Sequence, residues 1–245
     1  MSVKFSIVLP AYNRETLIKE TIQSIKNQSY DNYELFIVDN ESTDNTYNVA
    51  LEYESKNTQV HKVENIYPCS YDEAKNYILP RCTGDYITFI ADDDIIQNNY
   101  LLKLNEYIIE SNFPPALQSP IKWFNSESRK VLKTVEYYYN SILELKNQLL
   151  YHCCINTPTF VFSKELKDTD IIKGRPEKFE GAADYDLYLR LVDSGVFINT
   201  CRDWLGYFYR AHPNQATWTM VKKPNHNEEI KKPWIEKWKS ELNIL

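Results

Sequence analysis

Short apolar runs alternate with amphipathic segments along the first 115 residues. Runs rich in β-branched and aromatic residues predict four strands, at 4–9, 33–38, 60–63 and 86–90. Apolar residues at helical spacing predict helices between and after these strands, at 14–28, 44–53, 70–79 and 98–110. We expect Pro10 to end the first strand and Pro80 to end the third helix. Strands that alternate with helices of this length indicate βαβ units and a parallel sheet.

The pattern changes after Pro120. Residues 121–140 are polar and aromatic, which predicts extended structure or long loops. A helix is expected at 184–194, and Gly195 would close it. Further strands are predicted at 156–163, 196–198 and 204–209. Because the chain has neither an internal repeat nor a low-complexity segment, we expect one domain over residues 1–245.

Composition and charge exclude several classes of protein. A net charge of −6 argues against a nucleic-acid binder, since such affinity comes largely from clustered lysine and arginine. No stretch of eighteen apolar residues predicts a transmembrane helix, and the N-terminus reads as a strand and not as a signal peptide. Five cysteines without metal-ligand spacing indicate reduced thiols in a cytoplasmic protein. The five glycines are too widely separated to form a dinucleotide-binding or P-loop motif.

Three adjacent carboxylates follow the predicted strand at 86–90. Asp92, Asp93 and Asp94 repel one another, so the arrangement is costly unless water or a cation neutralises it. At the carboxyl end of a buried strand, a hard divalent cation such as Mg²⁺ or Mn²⁺ is a natural counter-charge. The alternative is a solvated acidic loop that caps the next helix.

Two other predicted strands also end in polar residues. Tyr12, Asn13 and Arg14 follow the first strand, and Asp39-Asn40 follows the second. The carboxyl ends of parallel strands share one edge of a sheet, so these side chains are expected to meet the three aspartates in one crevice.

Five segments together resemble the inverting glycosyltransferases of family 2, which have the GT-A fold. They are SIVLPAYNRE, FIVDNESTD, AKN at 74–76, GDYITFIADDD and ADYDLYLRL. The resemblance implies an α/β protein whose mostly parallel, Rossmann-like central sheet is flanked by helices, with a smaller acceptor-side half. It divides the domain into a nucleotide-sugar-binding half, an acceptor half with the catalytic base, and an amphipathic tail, at 1–115, 116–220 and 221–245.

The resemblance also implies a set of site residues. Those matched to nucleotide-sugar binding are Pro10, Ala11, Tyr12, Arg14, Asp39, Asn40, Lys75 and Asp92. Those matched to a bound Mn²⁺ or Mg²⁺ are Asp93, Asp94 and His212. A lone histidine is also often structural. Asn40 replaces the acid that is usual in the base-reading pair, which leaves uracil or thymine plausible without excluding another base.

Asp184 matches the family's catalytic base. An inverting displacement needs a carboxylate within hydrogen-bond reach of the attacking hydroxyl. Asp184 opens a predicted helix whose same face carries Leu187, Tyr188 and Leu191, so it would point inward. The alternative reading is a simple N-cap that contributes about 1 kcal/mol to stability.

The expected function is therefore metal-dependent, inverting transfer of a sugar from a nucleotide-diphospho-sugar to a hydroxyl of a glycan or lipid-linked glycan. UDP- or dTDP-sugars are the favoured donors. A non-catalytic nucleotide-sugar-binding module is one alternative, and a nucleotidyltransferase on a similar sheet is a weaker one. Arg210 could pair with phosphate or form a salt bridge. Trp204 and Trp218 could stack on a sugar or anchor loops.

The tail at 221–245 raises a separate hypothesis. Lysines are frequent there, and Trp234, Trp238 and Leu242 are spaced four apart after Pro233. Such a basic amphipathic helix could lie peripherally on the anionic inner face of a membrane. The alternative is a helix that packs on its own domain.

Overall fold

The computed structural model describes residues 2–67, 70–215 and 226–242. Its strands in chain order are β1 Phe5–Ala11, β2 Tyr33–Asp39, β3 Thr58–Lys62, β4 Tyr86–Phe89, β5 Ile95–Ile96, β6 Ala116–Gln118, β7 Ile121–Asn125, β8 Val131–Val135, β9 Val161–Ser163, β10 Ile198–Thr200 and β11 Tyr207–Ala211. The α-helices are α1 Ile18–Lys26, α2 Thr46–Leu51, α3 Asp72–Ile78, α4 Tyr100–Glu110, α5 Ile142–Tyr151, α6 Lys164–Lys167, α7 Pro176–Phe179, α8 Ala183–Asp193 and α9 Asn227–Trp238. Short 3₁₀ turns occur at Leu79–Arg81, Thr157–Thr159 and Glu180–Ala182.

A seven-stranded sheet forms the centre of the molecule, in the order β10-β6-β9-β4-β1-β2-β3. The β3-β2-β1-β4 segment is parallel throughout, as the βαβ pattern predicts. β9 is antiparallel to both of its neighbours, β4 and β6, and β10 is parallel to β6. The sheet is therefore mixed on the side formed by the second half of the chain.

Pro10 does not end the first strand, contrary to the prediction. β1 stays paired with β2 as far as Ala11 and Asp39, but its pairing with β4 stops at Val8. The Val8 carbonyl accepts from the Ile90 N–H on the β4 side. Pro10, two residues further on, turns its nitrogen to that same side, where β4 has ended. The missing N–H therefore removes no hydrogen bond of the ladder.

The aromatic segment after Pro120 is ordered β-structure. β7 and β8 form an antiparallel hairpin, and β7 pairs in parallel with β11. With β5 they make a four-stranded sheet in the order β5-β11-β7-β8. The prediction of extended structure is confirmed for 121–125 and 131–135, whereas a long loop there is wrong.

Two apolar cores cover the faces of the central sheet. Phe5, Ile7 and Leu9 of β1 pack with buried residues of α1 and α4 on one face. Val8 lies on the other face with residues of α3, α5 and α8. Adjacent strand residues point to opposite faces, so β1 needs apolar residues at nearly every position. Gly195 follows α8 with a φ of +88°, a conformation that favours glycine and confirms the predicted helix end.

The tail helix α9 packs against the domain. Trp238 is fully buried, and its Nε1 donates to Asp193 Oδ1 at the end of α8 at 3.0 Å. Lys237 forms an ion pair with Asp193. This arrangement supports the alternative of packing within the domain, because the apolar face that a membrane would need is largely covered. Among the described residues, no helix combines the length and hydropathy of a membrane span.

Candidate active site

A cleft of about 350 Å³ opens at the carboxyl ends of β1 and β4. One part of the cleft is lined by charged side chains of both signs, among them Arg14, Asp92 and Asp93. Another part belongs to the second half of the chain and includes Thr157 and Asp184. Residues as far apart in sequence as Arg14 and Asp184 thus line the same cleft.

Asp92 is almost fully buried at the floor of the cleft. Its Oδ2 accepts from the Tyr12 N–H at 2.8 Å and from the Tyr71 hydroxyl at 3.2 Å. Its Oδ1 lies 3.4 Å from Arg14 Nε. Burial and the adjacent Asp93 carboxylate raise the pKa of Asp92 to about 8. Tyr12 thus contributes its backbone N–H to the site, and Asp92 is held by both neutral and charged donors.

Asp93 faces two basic side chains. Its Oδ2 lies 2.9 Å from His212 Nε2 and 3.3 Å from Arg14 Nε. Burial alone lowers the pKa of Arg14, but the carboxylates of Asp92 and Asp93 raise it overall, so the guanidinium stays charged. His212 therefore reaches the acidic cluster from β11's C-terminal side, 119 residues away in sequence.

Asp94 is turned away from this cluster. It is fully buried and accepts from the Tyr207 hydroxyl at 2.9 Å and from the Arg210 N–H at 2.7 Å. Burial raises its pKa well above the ordinary value. Both oxygens accept hydrogen bonds from β11, and Asp93 lines the cleft whereas Asp94 does not, so the expectation that Asp94 joins Asp93 as a metal ligand stays a prediction without support from this geometry. These two hydrogen bonds tie Asp94 to β11.

The pair after β2 presents two unused acceptors. Asp39 Oδ2 accepts from the Ser42 N–H, and Asn40 Nδ2 donates to Asn65 Oδ1 and the Ser70 carbonyl, both at 3.2 Å. Asp39 Oδ1 and Asn40 Oδ1 are buried without a hydrogen-bond partner among the described residues. Buried polar atoms are rarely left unpaired, so these two oxygens are candidate acceptors for a ligand group near the end of β2.

Asp184 lies half-buried at the start of α8. Its Oδ2 accepts from the Thr157 hydroxyl and its Oδ1 from the Tyr185 N–H, both at 2.8 Å. Burial raises its pKa, while the Thr157 hydrogen bond and the Lys75 ammonium oppose that rise. Lys75 lies 3.7 Å from Asp72 and 5.2 Å from the centre of the Phe89 ring. Lys75 thus faces Asp184 from α3, across the cleft.

The other candidate residues lie as follows, and the nucleotide-binding role expected for Pro10 and Ala11 stays a prediction. Pro10 and Ala11 are buried at the end of β1, where the Ala11 carbonyl accepts from the Asn40 N–H at 2.7 Å. Arg210 is buried, and it donates to the Asp93 carbonyl and to Glu20, so it does not line the cleft. Trp204 packs on Phe208. Trp218 lies outside the described residues.

Sequence reasoning missed an aromatic wall on the four-stranded sheet. Trp123 of β7 and Tyr209 of β11 line the cleft, with ring centres 4.8 Å apart. Tyr137 lies in the same wall, and Tyr71 stands over Asp92. The aromatic-rich composition of 121–140 was the available signal, but only the pairing of β7 with β11 directs these rings to the cleft.

The chain's own residues can complete part of a divalent-cation site. Among the described residues, no group of three or more histidine, cysteine, aspartate or glutamate side chains could hold an ion. Mg²⁺ and Mn²⁺ are often bound by one or two carboxylates together with substrate phosphates. The Asp93 carboxylate and His212 Nε2 at 2.9 Å fit such a shared site, which a bound diphosphate would complete.

A family model described as glycosyl transferase family 2 matches residues 6–168. This match covers most of the chain, which therefore belongs to that family. The central sheet with its flanking helices is the GT-A arrangement that the resemblance predicted. A crystal structure of S. aureus TarS 1-349 in complex with UDP-GlcNAc superposes with a TM-score of 0.69 at 21% identity, and the match covers 97% of this chain and 73% of that one. At this identity, the likeness shows the fold.

Two curated relatives illustrate the family. A poly(ribitol-phosphate) beta-glucosyltransferase of Bacillus spizizenii is 35% identical over 211 residues, which is 79% of this chain and 33% of the relative. The Escherichia coli UDP-Glc:alpha-D-GlcNAc-diphosphoundecaprenol beta-1,3-glucosyltransferase WfgD is 26% identical over 237 residues, 94% of this chain and 83% of the relative. The chain covers about two fifths of the length of several other curated relatives.

Proposed function

We propose that this protein is a metal-dependent inverting glycosyltransferase that moves a sugar from a UDP-sugar to a hydroxyl of a glycan or lipid-linked glycan. One observation carries the proposal. The Arg14–Asp92–Asp93 cluster and the half-buried Asp184 carboxylate line the same cleft. A donor held at the first would place its sugar before the second. The names of the two relatives, one acting on poly(ribitol-phosphate) and one on a diphosphoundecaprenol-linked sugar, support this class of acceptor.

The orphan acceptors of the β2 pair support uracil as the base. Asn40 uses its amide N–H groups on Asn65 and Ser70, so it presents only its oxygen, as the aspartate more usual in the family would. Uracil and thymine offer one donor on this edge, N3–H, which an acceptor at Asp39 or Asn40 can bind. The TarS complex with UDP-GlcNAc agrees with a uridine donor.

The charged side chains at the carboxyl end of the central sheet can bind a diphosphate together with a cation. Asp93 and His212 would hold the cation, and a mixed carboxylate and imidazole set favours Mn²⁺ over Mg²⁺, which prefers oxygen ligands. When bound, such a cation neutralises the negative charge that accumulates on the leaving diphosphate. Arg14 keeps Asp92 and Asp93 in place and supplies further positive charge on this side.

Asp184 is the proposed base. The acceptor oxygen attacks the anomeric carbon while its proton passes to the Asp184 carboxylate, and the bond between that carbon and the diphosphate oxygen breaks. The attack comes from the face opposite to the leaving group, so the anomeric configuration inverts. The raised pKa of Asp184 strengthens it as a proton acceptor, because a carboxylate with ordinary acidity binds a proton more weakly.

A thermal-shift panel tests the donor. The protein is titrated with UDP, dTDP, CDP, GDP and ADP, each without metal, with Mg²⁺ and with Mn²⁺. Stabilisation grows with the ratio of ligand concentration to Kd, so UDP with Mn²⁺ should raise Tm most. Equal shifts for all bases, or no gain from either metal, would contradict the proposal.

Release of UDP from UDP-sugars then tests turnover. UDP-glucose and UDP-GlcNAc are supplied with Mn²⁺, and released UDP is measured with and without a lipid-linked acceptor. We expect slow hydrolysis alone and faster release with acceptor. Tight donor binding without any release would favour the alternative of a non-catalytic nucleotide-sugar-binding module.

A further inference from the structure

The 3₁₀ turn Thr157–Thr159 is held by a network of buried polar groups. The Asn156 N–H donates to Gln118 Oε1 at 2.6 Å, and Asn156 Nδ2 donates to the carbonyls of Ser119 and Val135 at 3.0 and 3.2 Å. At the other end of the turn, the Thr159 hydroxyl donates to the Ser119 carbonyl at 2.7 Å. Because buried hydrogen bonds hold the turn at both ends, it has one well-defined position next to β6 and β7.

Thr157 projects from this turn to the start of α8. Its hydroxyl donates to Asp184 Oδ2 at 2.8 Å, while Tyr185 N–H occupies Oδ1. Tyr185 belongs to the same helix as Asp184, so its hydrogen bond moves with the base. Thr157 is 27 residues away in sequence and stands on a separately fixed element. It is therefore the described contact that ties the Asp184 carboxylate to the sheet.

Four titratable groups face Asp184 from the surrounding elements. Lys75 and Asp72 act on its charge from α3, in opposite directions. Cys153 lies beyond the end of α5, and burial together with the Asp184 carboxylate raises its pKa. Tyr188 lies one helical turn along α8, and its pKa is raised well above the ordinary value by burial and by Asp184. Lys75 is thus the one cation in this set, and it is shared with Asp72 at 3.7 Å.

We infer that Thr157 is a positioning residue for the Asp184 base, which it orients toward the acceptor hydroxyl and keeps ready to receive a proton. The inference rests on the proposed function of Asp184. A hydrogen bond to the charged form of a carboxylate favours that form, so the Thr157 donor limits how far burial shifts the base toward its protonated state. The rigid turn also confines the carboxylate to one orientation, as a supported functional group requires.

The variant Thr157→Val tests the inference because valine keeps the shape of threonine and removes the donor. We expect kcat to fall about tenfold, since a misplaced base loses much of its proton-transfer contribution. In the plot of kcat/KM against pH, we expect the acid limb, where activity rises as Asp184 loses its proton, to move up by about one pH unit. Without the Thr157 donor, the neutral form of the Asp184 carboxyl gains population. The donor KM should stay unchanged.

Two matched variants separate positioning from structure. Thr157→Ser restores the hydroxyl and should return both kcat and the acid limb toward wild type. Thr159→Val removes the other threonine hydroxyl of the same turn, so it should lower Tm without moving the acid limb. Wild-type kcat and an unmoved acid limb in Thr157→Val, or a serine variant no better than the valine variant, would overturn the inference.

A titration by NMR gives a readout that does not need turnover. The protein is labelled with ¹³C at aspartate carboxyl groups, and Asp184→Asn identifies the Asp184 signal. The pH midpoint of the Asp184 titration should rise in Thr157→Val and return to the wild-type value in Thr157→Ser. An unchanged midpoint in Thr157→Val would refute the inference that Thr157 donates to the Asp184 carboxylate. A wild-type protein that transfers no sugar would instead overturn the proposed function, while the titration would still decide on Thr157.

Discussion

Asp92 and Asp93 share the Arg14 guanidinium at the edge of the central sheet, whereas Asp184, at the start of α8, accepts from neutral donors in the described part of the chain. The two acidic regions are both shielded from solvent and lie in one cleft. They differ in what balances their charge. Arg14 and His212 stand against the first pair, while Lys75, which Asp72 also attracts, acts on the charge of Asp184.

This difference fits two kinds of chemistry. Fixed cations beside a carboxylate pair balance its negative charge, which suits such a pair to hold a cation or to orient a nucleoside. Asp184 accepts hydrogen bonds from a hydroxyl and an amide of the described residues, and burial raises its pKa above the ordinary value, which favours uptake of a proton. The proposed function thus assigns charge binding to one region of the cleft and proton transfer to the other, and variants can perturb each region alone.

Replacement of the base should have the largest effect. In Asp184→Asn the carboxamide keeps the size and can still accept hydrogen bonds, but it cannot take up a proton. We expect sugar transfer to fall by about 10²- to 10⁴-fold with donor affinity largely intact. Turnover assays and calorimetric titration with UDP measure the two quantities. The exposed Asp168→Asn is the control, and near-normal turnover in Asp184→Asn would show that the base lies elsewhere.

Removal of the carboxylate that is proposed to hold the metal should weaken UDP binding. Asp93→Asn should weaken UDP binding in Mn²⁺ by about 10- to 100-fold and leave the metal-free affinity little changed, because the cation loses its anionic ligand. Calorimetric titration with and without Mn²⁺ measures the difference. Asp94→Asn is the matched control, since it should lower Tm through its contacts with β11 while preserving the metal effect. The opposite pattern would exchange the two assignments.

Conversion of the base-reading amide to the acid usual in the family should destabilise this chain. Asn40→Asp places a carboxylate against Asn65 Oδ1 and the Ser70 carbonyl, which are both acceptors. The lost hydrogen bonds should cost about 1–3 kcal/mol, and a few degrees of Tm. Thermal unfolding checks this, with the exposed Asn48→Asp as control. A variant at least as stable as wild type would contradict the amide orientation.

The smallest effect expected is a pH-dependent gain in stability for Asp184→Asn. The pKa of Asp184 is raised by burial, so the folded chain holds this proton more tightly than the unfolded chain. Stability due to this group therefore falls as pH rises from its ordinary pKa toward the raised one. Since asparagine does not ionise, the variant should exceed wild type in Tm by a few degrees at most near neutral pH. The gap should close in acid, and a constant gap would contradict burial of the charge.

Much of the first half could be predicted because its information is local. Apolar runs and helical spacing placed the strands β1 to β4 and their helices to within a few residues. The parallel pairing then follows from the alternation of strands and helices, and it brings Arg14, Asp39 and Asp92 to one edge. Pro10 was misread because its effect depends on where the neighbouring strand ends.

The second half was harder because its elements are defined by partners distant in the chain. No helix was predicted for α5, and the polar and aromatic stretch after Pro120 showed no clear period. The reversal of β9 between β4 and β6 has no local signal, since the direction of a strand is set by its neighbours. Secondary structure in the second half therefore depends on contacts with elements that are distant in sequence.

By itself, the amino-acid sequence determined the family, the mostly parallel sheet and the carboxylates at its edge, because hydrophobic period and short motifs are properties of neighbouring residues. The tertiary structure decided what each carboxylate contacts. Asp93 faces His212 while Asp94, one residue on, bonds to β11, because adjacent side chains leave the backbone in different directions. It also decided that Thr157 meets Asp184, a contact between a turn and a helix that only long-range packing creates.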